Sequence, residues 1–379
     1  SVVKAALQSP LDGYQSAYSL QQHVNFLSDD LHIFELRYDN AWHLSDLTHL
    51  AGAPAAGYPS GIVGYVTPYN NQQHINFFGW VGQHFHVLEL LYDGAWHHHD
   101  LTQLAGAPSV NQLVGGPASY VSSCNNQQHV NFVGTDFHVH ELYHDGAWHH
   151  SDLTQLTGAP PAGETVNKEA ASWVSPLAGY ESTTCQNRQH VNFVGTDFHV
   201  HELVYDGTWH HNDLTHLSGA PKAIADSLVG YETPYNHNQH VFFLGAVGER
   251  IHVHELVYDG VWRHNDLTHI SGAPTAAFPS QLNGYVTLYN NLQHVHFLGL
   301  VGEHVHVFEL VYDGAWHHND LTQITGAPPF VSTVTLHSLG GYVTTYNNHQ
   351  HVNFLGNDRH IHELVYDGAW HHNDLTALT

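Results

Sequence analysis

The chain repeats one unit seven times. A self-repeat of this length constrains the architecture before any local propensity is weighed. The last copy shows the unit: Gln350-His351-Val352-Asn353-Phe354-Leu355-Gly356, a turn, then His360-Ile361-His362-Glu363-Leu364-Val365-Tyr366-Asp367-Gly368-Ala369-Trp370-His371-His372-Asn373-Asp374-Leu375-Thr376. Trp42, Trp96, Trp148, Trp209, Trp262, Trp316 and Trp370 mark the copies, at spacings of 54, 52, 61, 53, 54 and 54 residues. Each leads into Asp-Leu-Thr, and after six of them comes Gly-Ala-Pro, as in Gly158-Ala159-Pro160.

Each copy reads as four short strands. The first is Gly64-Tyr65-Val66-Thr67 in copy two, the second Gln-His-Val-Asn-Phe and the third His-Val-His-Glu-Leu-Val-Tyr. The fourth is expected to start at Trp and run through Asp-Leu-Thr. Val, Tyr, Phe, Thr and Trp suit strands, and Asp367-Gly368 between the third and fourth runs is a strong hairpin signal. Proline cannot donate to a ladder, so Gly-Ala-Pro reads as the crossover to the next copy. No amphipathic helix is expected.

Four-stranded antiparallel units repeated without helices define an all-β, seven-bladed β-propeller. An open stack would need atypical capping repeats, and none occurs. One propeller domain is expected over 1–379, with blades near 11–54, 63–108, 115–160, 177–221, 228–274, 282–328 and 339–379.

Copies two, five and six carry three extra residues between the second and third strands, as in Gly79-Trp80-Val81-Gly82-Gln83-His84, so one rim should show two loop classes. The link from copy three to four is long, Pro161 to Trp173, and reads as a surface excursion with room for one helical turn. Cys124 and Cys185 replace a tyrosine found in the other copies (Tyr18, Tyr69, Tyr235, Tyr289 and Tyr346). They either bridge adjacent blades or remain two half-buried thiols.

Charge narrows the partners. Lys and Arg number 8 against 34 Asp and Glu, a formal charge of −26. A phosphate backbone needs cations, so nucleic acid is excluded as a partner. Anionic membrane surfaces are disfavoured for the same reason, and no run approaches a membrane span, so no membrane insertion is expected. Full protonation of the 41 histidines would carry the formal charge to +15, which is either a response to mild acid or a bias of composition. No methionine occurs, so the chain is expected to be trimmed at its N-terminus.

The second, third and fourth strands with the Asp-Leu-Thr…Gly-Ala-Pro tail resemble the fungal-type fucose-specific lectin family and its bacterial relatives, over nearly the whole chain. In that family a second-strand arginine and a third-strand glutamate hold sugar hydroxyls between adjacent blades, beside a tryptophan or tyrosine. The resemblance implies sugar-binding roles for Glu35, Glu89, Glu141, Glu202, Glu255, Glu309 and Glu363. The arginine position holds histidine throughout: His23, His74, His129, His190, His240, His294 and His351. Neutral histidine offers one donor and one acceptor in place of five donors, so the resemblance does not decide which sugar is bound. The best-known members have six blades, not seven.

A sugar site needs an apolar face for the ring and a few polar groups for its hydroxyls. Glu, His and the seven tryptophans Trp42, Trp96, Trp148, Trp209, Trp262, Trp316 and Trp370 supply both; alternatively they tie the strands of each blade together. Histidine clusters such as His138-x-His140 and His149-His150 raise zinc, copper or nickel, and alternate strand residues share a face. The sequence offers neither cysteine pairs nor a third ligand at a fixed place, so no metal site and no cofactor is assigned. No Gly-x-Ser-x-Gly, His-Glu-x-x-His or phosphate loop occurs, and no single carboxylate is set apart as an acid. The expected function is non-catalytic, multivalent carbohydrate binding, with glycans or glycoconjugates as partners, an extracellular or cell-surface location, and homo-oligomerisation left open. The alternatives are a structural, coat or adhesion scaffold and a histidine-rich metal-binding protein.

Overall fold

The protein is described here from a computed structural model, which describes residues 3–58, 60–113, 115–165, 173–184, 187–329 and 338–379. It is a seven-bladed β-propeller of four-stranded antiparallel blades, each in simple sequence order. Blade four shows the plan: strands Leu177–Glu181, Gln189–Val194, Val200–Tyr205 and Trp209–Asp213. First strands of neighbouring blades pack on one another, and that of blade seven packs on that of blade one. The first strands therefore lie innermost and the fourth outermost. Ring closure uses ordinary contacts: Leu355, Ile361 and Leu375 join Val24, Phe26 and Leu36 in one cluster, and Tyr342 donates to Gln22 Oε1 at 3.1 Å.

The second strands explain why alternation is blurred in the sequence. Gln189–Val194 is buried at every position, because one face meets its own blade's neighbour and the other face the next. Val191 and Phe193 are fully buried, each contributing about 1.5–3 kcal/mol by removal from water.

The fourth strand does not run through Asp-Leu-Thr as expected. It ends at the aspartate, and Leu-Thr opens a five-residue α-helix, six of which are seen, as at Leu214–Ser218. The expectation of an all-strand blade fails for a local reason. Asp213 is an N-cap whose side chain accepts from His216 N–H, and Gly219 at φ 68° closes the helix in the left-handed region that glycine tolerates. Leu214 is buried, and Thr215 Oγ1 accepts the otherwise unpaired Val200 N–H at 2.8 Å. No helix among the described residues is long and apolar enough to cross a membrane.

The three extra residues of blades two, five and six extend the ladder itself. In blade two the pairing continues through Gly79–His86, Trp80–Phe85 and Val81–His84, whereas in blade three it stops at Val133–Val139. In the long link, Gly163–Glu164 pairs with Trp173–Val174. Of the link from Pro161 to Trp173 in which a helical turn has room, residues 166–172 lie outside the described residues, and so does Cys185, on which the Cys124–Cys185 question turns.

Candidate functional site

Each blade holds one buried polar chain. In blade four, His190 Nδ1 lies 2.8 Å from Glu202 Oε1, and Asn212 donates to Glu202 Oε2 at 2.9 Å. His190 is 1 % and Glu202 2 % exposed. The ring of Tyr180 stacks on His190 at 4.9 Å. All seven His–Glu pairs repeat this bond at 2.7–2.8 Å. In five blades a Ser or Thr hydroxyl at the end of the first strand or just after it meets the other ring nitrogen, while His129 and His240 leave Nε2 unpaired.

This chain sets the protonation states. Burial pushes the Tyr180 phenol well above its ordinary range, aided by the nearby Glu202 charge, so the hydroxyl stays protonated. For Glu89, burial acts upward, but hydrogen bonds from His74 and His99 outweigh it and hold the carboxyl low. Glu309 is likewise held low against its burial by His294 and His296.

Cavities lie between blades at the two junctions flanking blade four. Between blades four and five lies one of about 640 Å³, bounded by His190, Glu202, Arg188, Asp206, His210 and Asn212 on one side and by Gln239, Tyr258, Val261 and Trp262 on the other, with Leu217 at its edge. Between blades three and four, a cavity of about 320 Å³ brings His129, Glu141, Tyr143 and Ser151 against Gln189, Tyr205 and Trp209. The sequence candidates thus meet across a junction: His and Glu from one blade, tryptophan from the next. At both junctions His and Glu form the buried floor, and the tryptophan wall is half-buried.

The tryptophans also serve construction. Trp209 pairs with Tyr205 across the hairpin, ring centroids 5.5 Å apart, and packs on the core with Trp148. Trp316 is buried.

Sequence reasoning missed a set of tyrosine–glutamine bonds that join neighbouring blades. At six junctions a first-strand tyrosine donates to a glutamine of the next blade, as Tyr14 does to Gln73 and Tyr120 to Gln189. At the four/five junction Tyr180 OH and Gln239 Oε1 are both unpaired. At five junctions a second tyrosine, from the turn after the first strand, accepts from that glutamine: Tyr18, Tyr69, Tyr235, Tyr289 and Tyr346. Copies three and four carry Cys124 and Cys185 at that sequence position, and the three/four and four/five cavities lie at their junctions. The cysteines were legible as a departure; that the tyrosine they replace bonds a glutamine of the next blade was not.

The histidine pair His138 and His140 does share a face, with ring centroids 6.1 Å apart, and each has its own partners. His138 Nδ1 bonds Asp152 Oδ2 at 2.8 Å, while His140 bonds His150 at 2.9 Å and Asp136 at 3.0 Å.

Fold and cavities together define a seven-bladed propeller with recessed, amphipathic clefts between blades. Solved structures resemble it in fold. The lectin BP39L from Burkholderia pseudomallei superposes with a TM-score of 0.66 at 15 % identity, covering 96 % of this chain and 98 % of that one. AofleA from Arthrobotrys oligospora gives 0.55 at 15 % identity over 84 % and 88 % of the two chains. A fucose-specific lectin from Aleuria aurantia gives 0.52 at 15 % identity over 84 % and 96 %. No protein-family model matches the sequence, and no curated protein does.

Proposed function

We propose that the chain is a non-catalytic lectin that binds glycans in the clefts between blades, with the three/four and four/five junctions as its working sites. The observation that carries this reading is the four/five cavity. The apolar side chains of Trp262, Tyr258, Val261 and Leu217 line it together with the polar side chains of Arg188, Asp206, His210, Asn212 and Gln239. A pyranose has one C–H face and a hydroxyl rim, and this pairing suits it. His190 and Glu202 shape the floor and orient Asn212. The lectins that share the fold support the class. The name of the Aleuria aurantia protein specifies fucose, but the buried histidine at the arginine position leaves the sugar open here. Two weak sites on one rigid ring gain affinity for a glycan-bearing surface by acting together, which fits an extracellular or cell-surface location.

The test is a glycan array at neutral pH, followed by calorimetry with the best monosaccharide. Two sites per chain are expected. Trp262→Ala should remove the four/five site, which uses Trp262, and leave the three/four site, which uses Trp209. Binding to no glycan, with self-association retained, would overturn the lectin reading in favour of an assembly scaffold.

A further inference from the structure

At the far ends of the strands, away from the sugar clefts, each blade joins its third strand to its helix cap. In all seven blades a histidine at or just before the start of the third strand bonds through Nδ1 to the aspartate that ends the fourth strand, as His138 does to Asp152, at 2.7–2.8 Å; in six blades that aspartate is also the helix N-cap. That pair is blade construction. Blades three, four and seven add a second carboxylate from the turn between the second and third strands. Asp136 Oδ2 comes within 3.7 Å of His138 Nδ1, and Asp197 Oδ2 within 3.6 Å of His199 Nδ1. One oxygen or nitrogen from each of Asp136, His138 and Asp152 lies within 4.8 Å of the others, and the same holds for Asp197, His199 and Asp213. In blade seven Asp358 and Asp374 are joined by His362.

Further contacts fix the turn aspartate. Asp136 Oδ1 accepts from His138 N–H at 3.1 Å and contacts His140 Nε2 at 3.0 Å, and His140 Nδ1 is held by His150 Nε2 at 2.9 Å. The turn begins with glycine, since a Cβ on Gly134 would lie 2.7 Å from His140 Nε2. The remaining blades supply internal contrasts. Blade one has Asp30, but Phe34 stands at the His140 position and Asp30 turns to the Ser28 hydroxyl. Blade five has His254 and His264, 3.0 Å apart, but a longer hairpin with no aspartate in the turn.

Two carboxylates converging on one imidazole make a mixed oxygen and nitrogen ligand set. Zinc takes such ligands at about 2.0–2.2 Å and, with three protein ligands, keeps a position for water. We propose that blades three, four and seven each bind one zinc-like divalent ion between the turn aspartate, a histidine at the start of the third strand and the aspartate that ends the fourth strand. In blade three the ion takes His138 Nδ1, and the ring proton resides on Nε2. These sites are independent of the glycan clefts.

The experiment titrates zinc into tag-free, chelator-stripped full-length protein against a chromophoric chelator, and locates bound zinc in crystals by anomalous scattering. Three ions per chain at the three turns are expected. Asp136→Asn keeps the acceptor for His138 N–H while removing the charge, and should weaken one of three sites at least about tenfold. The triple variant with Asp197→Asn and Asp358→Asn should lose the class. Zinc located elsewhere, or a stoichiometry unchanged in the triple variant, would mean scattered binding to surface histidines and would overturn the proposal.

Discussion

His190 and Glu202 are joined through Nδ1 and Oε1 at 2.8 Å although they are not ladder partners. His190 lies opposite Val204, and Glu202 opposite Asn192. The two are diagonal neighbours on one face of the sheet, a reach that long side chains span. Glu202 then uses its second oxygen for Asn212. Glu202→Gln would set an amide N–H₂ against either His190 or Asn212. The expected cost is about 1–3 kcal/mol, the penalty of a buried polar group left without its partner. It should appear as a lower denaturation midpoint with unchanged far-ultraviolet dichroism. An unshifted midpoint would show that the pair is not what ties these strands.

The tyrosine at the junction of blades six and seven is predicted to act as a plug. Tyr289 accepts from Gln350 Nε2 at 3.1 Å and is 42 % exposed. Tyr289→Ala should free the glutamine and open a third cleft resembling those beside the cysteine-bearing turns. Calorimetry with the sugar identified on the array should then read about one additional site per chain, in keeping with one ligand per recessed pocket. Because Tyr289 is partly exposed, folding should be little affected. An unchanged stoichiometry would argue that the cysteine substitutions do not decide where sugars enter.

Blade five carries a buried histidine that blades one, two and six replace with Phe34, Leu88 and Phe308. His254 is 1 % exposed, with Nε2 unpaired. Burial chiefly, with the neighbouring His264 and His252 also opposing its protonation, holds it down to about 4, against an attraction from Asp266. An unfolded histidine titrates near pH ~6.5. Between these values the unfolded chain binds a proton that the folded chain refuses. Stability from this group is therefore complete above pH ~6.5 and is lost as pH falls toward 4. His254→Phe, the residue blade six uses, should remove that dependence. Its advantage over the parent should grow by about 1–3 kcal/mol between neutral pH and pH ~4.5, each pKa unit being worth about 1.4 kcal/mol. Denaturant melts at the two pH values measure it, and parallel profiles would refute the assignment.

The repeat alone determined the blades. A strand-turn-strand pattern with Asp-Gly hairpins and a marker tryptophan is local information, so it survives in one dimension. Seven copies without caps then leave a closed ring as the arrangement that buries every sheet face. The helix cap was equally local, and Asp-Leu-Thr followed by Gly-Ala-Pro contains it, but strand propensity in the fourth run obscured it. What tertiary structure decided is everything that joins residues of different copies or different ends of a blade. Trp262 lines one cavity with Glu202 of the preceding blade, Tyr289 bonds Gln350 of the next blade, and Asp136 reaches the helix cap at Asp152 through His138. These relationships depend on how sheets pack around the axis and on where a turn ends in space, and spacing along the chain does not encode either distance. The histidine and glutamate of the repeated unit are the clearest example. As a sequence they matched the sugar ligands of a lectin, and in the folded ring they are first the buried tie of each blade, with the cleft opening beside them.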